Sequence, residues 1–118
     1  MTTRECYALM DADYNDTRSR LVSDSLIRRL LFKFAESKDL ELLTNAINQK
    51  DYETAFRISH SLKGVSLNLG FTKLTDSSCA LCEELRDGSP SDNTTNVLLE
   101  TMTCDYQQVL SAIRQLDA

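Results

Sequence analysis

The sequence predicts an all-α protein: an antiparallel four-helix bundle in up-down-up-down order, with short extra helices at its N-terminus. Its 118 residues are the size of a single domain. Three glycines and one proline are too few for the tight turns of a β-sandwich or barrel of this size. Four long segments carry apolar residues at helical spacing, and a bundle is the simplest way to bury four such stripes against one another.

Residues 1–22 are predicted to form two short helices, over residues 3–10 and 14–21, on either side of a turn. Short helices depend on tertiary packing for their stability. We therefore expect them to cap one end of the bundle that residues 23–118 form, so that residues 1–118 make one domain.

The first bundle segment begins at Ser23 or Asp24, either of which can act as N-cap, and carries an apolar stripe to Phe34. Residues 37–39 interrupt the pattern, which then resumes as far as Ile47. This segment is either one bent helix or two helices in a row.

The last two bundle helices flank the strongest loop signal in the chain, seven consecutive turn-type residues at 87–93. The helix before the loop runs over residues 71–86, and Gly88 is a suitable C-terminal cap. Asn93 or Thr94 would cap the final helix. Its stripe has the spacing 3, 4, 3, 4, 3 and consists of Leu99, Met102, Tyr106, Val109, Ile113 and Leu116.

The remaining helix, over residues 52–69, is not explained by core burial alone. Asp51 is its predicted N-cap, and Gly70 breaks or bends the chain at its end. At 100° per residue, one side is predicted to be buried and consists of Ala55, Ile58, Leu62, Val65, Ser66 and Leu69. The opposite side carries the only histidine of the chain, with its neighbours on the helix surface: Glu53, Phe56, His60, Lys63, Gly64 and Leu67.

Gly64 is the unusual residue of the exposed side. A glycine inside a helix costs about 0.5–1 kcal/mol relative to alanine, and nothing on an exposed face recovers that cost. At position i+4 it leaves the imidazole of His60 open to a large incoming group. A neutral imidazole is a good nucleophile toward a phosphoryl group, and Lys63 can stabilise the charge of the product. Exposed apolar side chains nearby suggest a docking surface for another protein.

The sequence from His60 to Gly70 resembles the H-x-L-K-G-x5-G signature of histidine-containing phosphotransfer (HPt) domains. It reads His60-Ser61-Leu62-Lys63-Gly64 and continues over five residues to Gly70. The resemblance extends over most of the chain, from about Ser23 to Leu116. It implies a four-helix bundle whose histidine accepts a phosphoryl group from a phospho-aspartate on a receiver domain and can return it to another receiver.

The resemblance assigns a role to each matching residue. His60 is the phosphorylation site, Lys63 contacts the phosphoryl oxygens, and Gly64 keeps access clear. The implied partners are response-regulator receiver domains, which can be part of a hybrid histidine kinase, and they supply the Mg²⁺. The chain is then a carrier and not an enzyme, with no cofactor or metal of its own and, lacking a glycine-rich phosphate loop, no ATP site. The expected docking residues are Glu53, Phe56, Arg57 and Leu67, and the large Leu67 departs from the smaller residue of many members.

The composition excludes other classes of partner. The formal charge is −5, whereas nucleic acids and anionic membrane surfaces attract basic proteins, so we expect neither as a partner. No segment approaches the roughly 18–20 apolar residues of a membrane span, and the N-terminus lacks the apolar core of a secretory signal. We expect a cytoplasmic monomer with reduced cysteines.

Three alternatives accompany this interpretation. The chain could be a passive helical adaptor in which His60 is incidental. It could be the phosphotransfer domain of a larger kinase, although a start at Met1 without a long linker favours a free-standing protein. The C-x-x-C of Cys79 and Cys82 could bind metal or be redox-active, but a zinc site lacks a second ligand pair, and a redox motif of this kind belongs next to a βαβ unit.

Overall fold

The structure is a computed structural model that describes residues 1–117. This part of the chain is all-α and contains no strand, which confirms the predicted fold class. The up-down-up-down order of the bundle stays a prediction. Along the described residues the helices are α1 (Thr3–Leu9), α2 (Tyr14–Arg20), α3 (Asp24–Ala35), α4 (Asp39–Asn48), α5 (Tyr52–Leu69), α6 (Thr72–Leu85) and α7 (Asp92–Asp117).

The helices that carry the main body of the fold are α4 to α7. Helix α5 packs against both α4 and α6, and α6 packs against both α5 and α7. The first predicted segment is two helices, α3 and α4, and both contact α7. The chain turns between them at residues 36–38, where the Ser37 hydroxyl accepts a hydrogen bond of 3.1 Å from the N–H of Asp39.

An aromatic cluster joins the N-terminal helices to the bundle core. The ring of Phe34 on α3 lies 5.3 Å from that of Phe71, which precedes α6, and 4.9 Å from that of Tyr106 on α7. Tyr7 on α1 extends the cluster, with its ring 6.2 Å from that of Phe71. All four side chains are buried, so together they exclude a large apolar area from water.

Helices α1 and α2 also close the C-terminal end of α5. The last carbonyls of an α-helix have no partner within the helix. The hydroxyls of Tyr7 and Thr17 donate to the Leu69 carbonyl at 2.7 and 3.0 Å. The guanidinium of Arg20 donates to the carbonyls of Leu67 and Asn68 at 3.0 and 2.8 Å. These bonds explain why two short helices, each weak alone, are formed at this end.

Gly70 is required where α5 ends and α2 crosses it. Its φ is +75°, a left-handed conformation that side chains rarely adopt. A Cβ at Gly70 would also lie 2.8 Å from the backbone oxygen of Asp13, and closer still to the hydroxyl oxygen of Thr17. The absent side chain therefore allows the helix to end and also allows α2 to approach it.

The helix boundaries confirm most of the predicted caps. The side chains of Ser23 and Asp51 accept hydrogen bonds from the backbone N–H groups three residues later, at 3.1 and 3.3 Å. Helix α6 ends at Leu85 with Arg86 as its C-cap, so the predicted cap Gly88, with a φ of +75°, lies two residues beyond the observed one. The predicted cap of the last helix is wrong: α7 begins at Asp92, and the hydroxyl of Ser91 accepts from the N–H of Thr94 at 3.4 Å. Helix α7 thus includes Asp92 and Asn93, the last two of the seven turn-type residues.

Candidate functional site

The centre of α5 presents His60 to solvent. The helix is fixed at its N-terminus by the Asp51 cap and at its C-terminus by Gly70 and the contacts of α1 and α2. His60 lies in the middle of this 18-residue helix, and its side chain is exposed. The candidate nucleophile is therefore carried by a rigid, well-capped element and not by a loop.

The buried side of α5 is centred differently from the prediction. Ala55, Leu62, Ser66 and Leu69 are buried as predicted, and Ser59 joins them. Val65 was expected to be buried, but 40% of it is exposed. At 100° per residue it lies about 80° from the centre of the buried stripe, at the edge of a groove towards α3. The predicted Ile58 is also near this edge and is only half-buried.

Two side chains contact the imidazole of His60 from different directions. The ring of Phe56, one turn earlier on α5, is stacked on it with a centroid distance of 6.0 Å and an interplanar angle of 19°. From α6, the sulfur of Cys82 lies 4.0 Å from Nδ1. Cys82 is fully buried, so Nδ1 is the inward edge of the ring. Nε2, on the opposite edge, is the nitrogen that faces away from α6.

The glycine at i+4 from His60 is not required by packing. Gly64 is exposed, and a Cβ built on it would meet no atom within 4 Å. Its backbone is ordinary helix, in contrast to the left-handed Gly70. Neither a close approach within the fold nor a special conformation accounts for a glycine here. The open space above His60 is the feature that it provides.

Charged residues of α5 and α6 lie in the neighbourhood of the imidazole and its Phe56 partner. Lys63, three residues after His60, is half-buried, and it is close enough to α6 for its charge to act on Glu83. On α6, Arg86 pairs with Glu83 at 2.6 Å, and its guanidinium lies 5.4 Å from the centre of the Phe56 ring. The hydrogen bond and charge of Arg86 hold the pKa of Glu83 below its ordinary value, and the charge of Lys63 acts in the same direction.

The four predicted docking residues have different environments. Leu67 is 62% exposed, a large apolar side chain in water, and Glu53 and Arg57 are also exposed. Phe56 is half-buried and packs partly against the core as well as on His60. It therefore both supports the imidazole and contributes to the exposed face.

Sequence reasoning missed the contribution of α6. Cys82, Glu83 and Arg86 all lie near the candidate site, yet none was assigned to it. The i, i+3 spacing of Glu83 and Arg86 predicts their pairing on one helix face. The sequence contains no signal for the register between α6 and α5, which decides that Cys82 meets His60.

The cysteines form no cross-link and no recognisable metal centre within residues 1–117. All four thiols are free. The described part of the chain contains no group of three or more His, Cys, Asp or Glu side chains that could hold a metal ion. Among the same residues, no helix is long and apolar enough to cross a membrane.

The structure thus presents the only histidine of the sequence on an all-α fold, with a lysine at i+3 and an open glycine at i+4. The family model of the Hpt domain matches residues 29–118, about three quarters of the chain. The protein belongs to the Hpt domain family. Comparisons with curated proteins and with solved structures gave no match. Hpt domains carry phosphoryl groups on histidine in phosphorelays and interact with response-regulator receiver domains.

The family match begins within α3, so α1 and α2 lie outside it. These two helices nevertheless hold the end of the helix that carries His60. They are an addition to the matched region that supports the site-bearing helix.

Proposed function

We propose that His60 accepts a phosphoryl group from the phospho-aspartate of a receiver domain and passes it to another receiver. The observation that carries the proposal is the exposed imidazole in mid-helix with open space at Gly64, one turn further on. An acceptor for a bulky partner needs access on the side from which the partner approaches. Gly64 provides that access at a cost in helix stability that the fold does not otherwise explain.

Nε2 is the attacking atom in this proposal. Nδ1 is turned towards the Cys82 sulfur, and Nε2 lies on the opposite edge of the ring. A bond from Nε2 to phosphorus forms while the bond from phosphorus to the aspartate oxygen breaks, and the aspartate leaves as a carboxylate. The Mg²⁺ that neutralises charge during this exchange belongs to the receiver, so the chain needs no cofactor of its own.

Lys63 is the proposed contact for the phosphoryl oxygens. It shares a helix face with His60 at i+3, and an ammonium group forms strong, charge-assisted hydrogen bonds to phosphate. Its half-buried position limits the freedom of the side chain. Stabilising the negative charge on the transferred group is the chemistry that this residue supplies.

The receiver would dock on the exposed side of α5. Leu67 and Phe56 provide apolar contacts above and below the imidazole, and Arg57 and Glu53 provide charge at the edge. Exposing the apolar side chain of Leu67 to water is unfavourable, and a partner that covers it would gain the corresponding free energy of burial. Docking on this face brings the phospho-aspartate towards Nε2.

A transfer assay tests the proposal directly. The protein is incubated with a receiver phosphorylated on its aspartate, and label that is labile in acid and stable in alkali is measured. We expect such label on the wild type and none on His60→Gln, because the chain has no other histidine. ATP without a receiver should give no label on either protein.

The same assay separates the carrier from a passive adaptor. An adaptor binds the receiver equally well with and without the histidine and acquires no acid-labile phosphate. Equal labelling of wild type and His60→Gln, or binding without any labelling of the wild type by a panel of phosphorylated receivers, would contradict the carrier function.

A further inference from the structure

We propose that Cys82 is a positioning residue that fixes the protonation pattern of the His60 ring. The inference rests on the proposed role of His60 as phosphoryl acceptor and names the residue that prepares it. Its basis is the contact between the Cys82 sulfur and Nδ1 of His60 at 4.0 Å, which joins α6 to the reactive side chain of α5.

The need for such a residue follows from imidazole chemistry. In the neutral ring one nitrogen carries a proton and the other carries the free electron pair that attacks. Histidine in water prefers the proton on Nε2, which leaves the outward nitrogen unable to act as a nucleophile. The hydrogen bond made by one ring nitrogen decides which tautomer is present. A partner that accepts from Nδ1–H therefore makes Nε2 nucleophilic.

Cys82 is suited to this task by its position. It is fully buried and sits within α6, which packs along α5, so its sulfur is held in place and shielded from competing water. A thiol sulfur accepts hydrogen bonds only weakly, but two tautomers of similar energy need only a weak bond to shift their equilibrium, and the proposal takes the buried sulfur as the acceptor from Nδ1–H.

The other side chains near the site are less suited to accept from Nδ1–H. Phe56 stacks on the ring face and offers no acceptor in the ring plane. Lys63 is a donor only, and the Glu83 carboxylate is engaged with Arg86 at 2.6 Å. The thiol of Cys82 is the group whose sulfur lies 4.0 Å from Nδ1 itself.

Nuclear magnetic resonance of the imidazole nitrogens tests the proposal without any partner. Because the chain has a single histidine, its ring signals need no further assignment. At a pH where the ring is neutral, we expect the proton on Nδ1 in the wild type and predominantly on Nε2 in Cys82→Ala. Cys82→Ser, which restores an acceptor, should return the proton to Nδ1. Cys79→Ala, one turn earlier on α6, is the matched control and should resemble the wild type.

The rate of transfer from a phosphorylated receiver provides the second measurement. Loss of one weak hydrogen bond should slow transfer about fivefold in Cys82→Ala, with recovery in Cys82→Ser. The proposal is overturned by a wild-type ring with its proton on Nε2, or by a Cys82→Ala ring that keeps the wild-type proton position. The first of these outcomes needs no variant, so the test remains decisive even if a variant fails to fold. If the tautomers behave as expected but no receiver labels the wild type, the role of Cys82 stands and the phosphotransfer function fails.

Discussion

Replacing Gly64 with glutamine should make the protein more stable and less active. Gly64 has helical backbone and is exposed, and a Cβ there meets no atom within 4 Å, so the new side chain creates no clash within the fold. The substitution removes the cost of a helix-interior glycine, about 0.5–1 kcal/mol. For a domain of this size that corresponds to a rise in melting temperature of about 2–5 °C.

The same side chain should obstruct the partner. Position 64 is one turn after His60 on the same face, where a long side chain overhangs the imidazole. We expect transfer from a phosphorylated receiver to fall at least tenfold, equivalent to about 1.4 kcal/mol of barrier. Gly64→Ala, which adds only a methyl group, should show the gain in stability with a smaller loss of transfer.

Thermal unfolding and receiver-dependent labelling are measured on all three proteins. Phosphoramidate, a small phosphoryl donor that needs no docking surface, serves as the control for an intact His60. It should label the glutamine variant nearly as well as the wild type. A Gly64→Gln protein that accepts phosphoryl groups from the receiver at the wild-type rate, or that melts at a lower temperature, would refute the explanation of this glycine.

Three further outcomes follow from the structure. Gly70→Ala should lower the free energy of unfolding by about 2–3 kcal/mol, because it combines a left-handed φ with a clash that displaces Thr17 from α5. Gly88→Ala has the same φ, but its Cβ meets no atom, so it should lower the free energy of unfolding by less. Denaturant titration of both variants measures the difference. Lys63→Gln should slow transfer severalfold without affecting stability, whereas Lys33→Gln on α3 should leave transfer unchanged. Hydrogen bonds and neighbouring cations lower the pKa values of four carboxyl groups in the folded state, those of Glu5, Asp11, Asp51 and Glu83. The free energy of unfolding should therefore fall as the pH drops from about 5 to 3. A pH profile without this fall would contradict the contacts that these groups make in the folded state.

The helices and most of their caps were predictable because their signals are local. Ser23 and Asp51 act through backbone groups only three residues away, and a left-handed glycine ends a helix wherever it occurs. The error at Val65 has a different origin. Its apolar type placed it on the buried stripe, whereas the neighbouring helices bury the small side chain of Ser59 instead. Which side of an amphipathic helix is covered depends on partners that periodicity does not contain.

The two glycines of the signature show what the structure adds. The sequence places Gly64 inside the predicted helix, at +4 from the histidine, and Gly70 at its end, at +10. In the structure Gly70 is enclosed by α2, and Gly64 has nothing around it. The first is a requirement of the fold, and the second has no use within the fold. Their surroundings therefore give a physical reason for the two different roles that the sequence suggests.

The candidate site is therefore assembled from information of two kinds. The spacing on α5 places His60, Lys63 and Gly64 on one face, which defines the side open to a partner. The packing of α6 on α5 brings the Cys82 sulfur to Nδ1, which defines the closed side of the ring. A phosphoryl acceptor needs both sides, because an open nitrogen attacks only if the other nitrogen holds the proton. In the proposed mechanism the histidine, lysine and glycine mark where the transfer takes place, and the contact between the two helices selects the nitrogen that attacks.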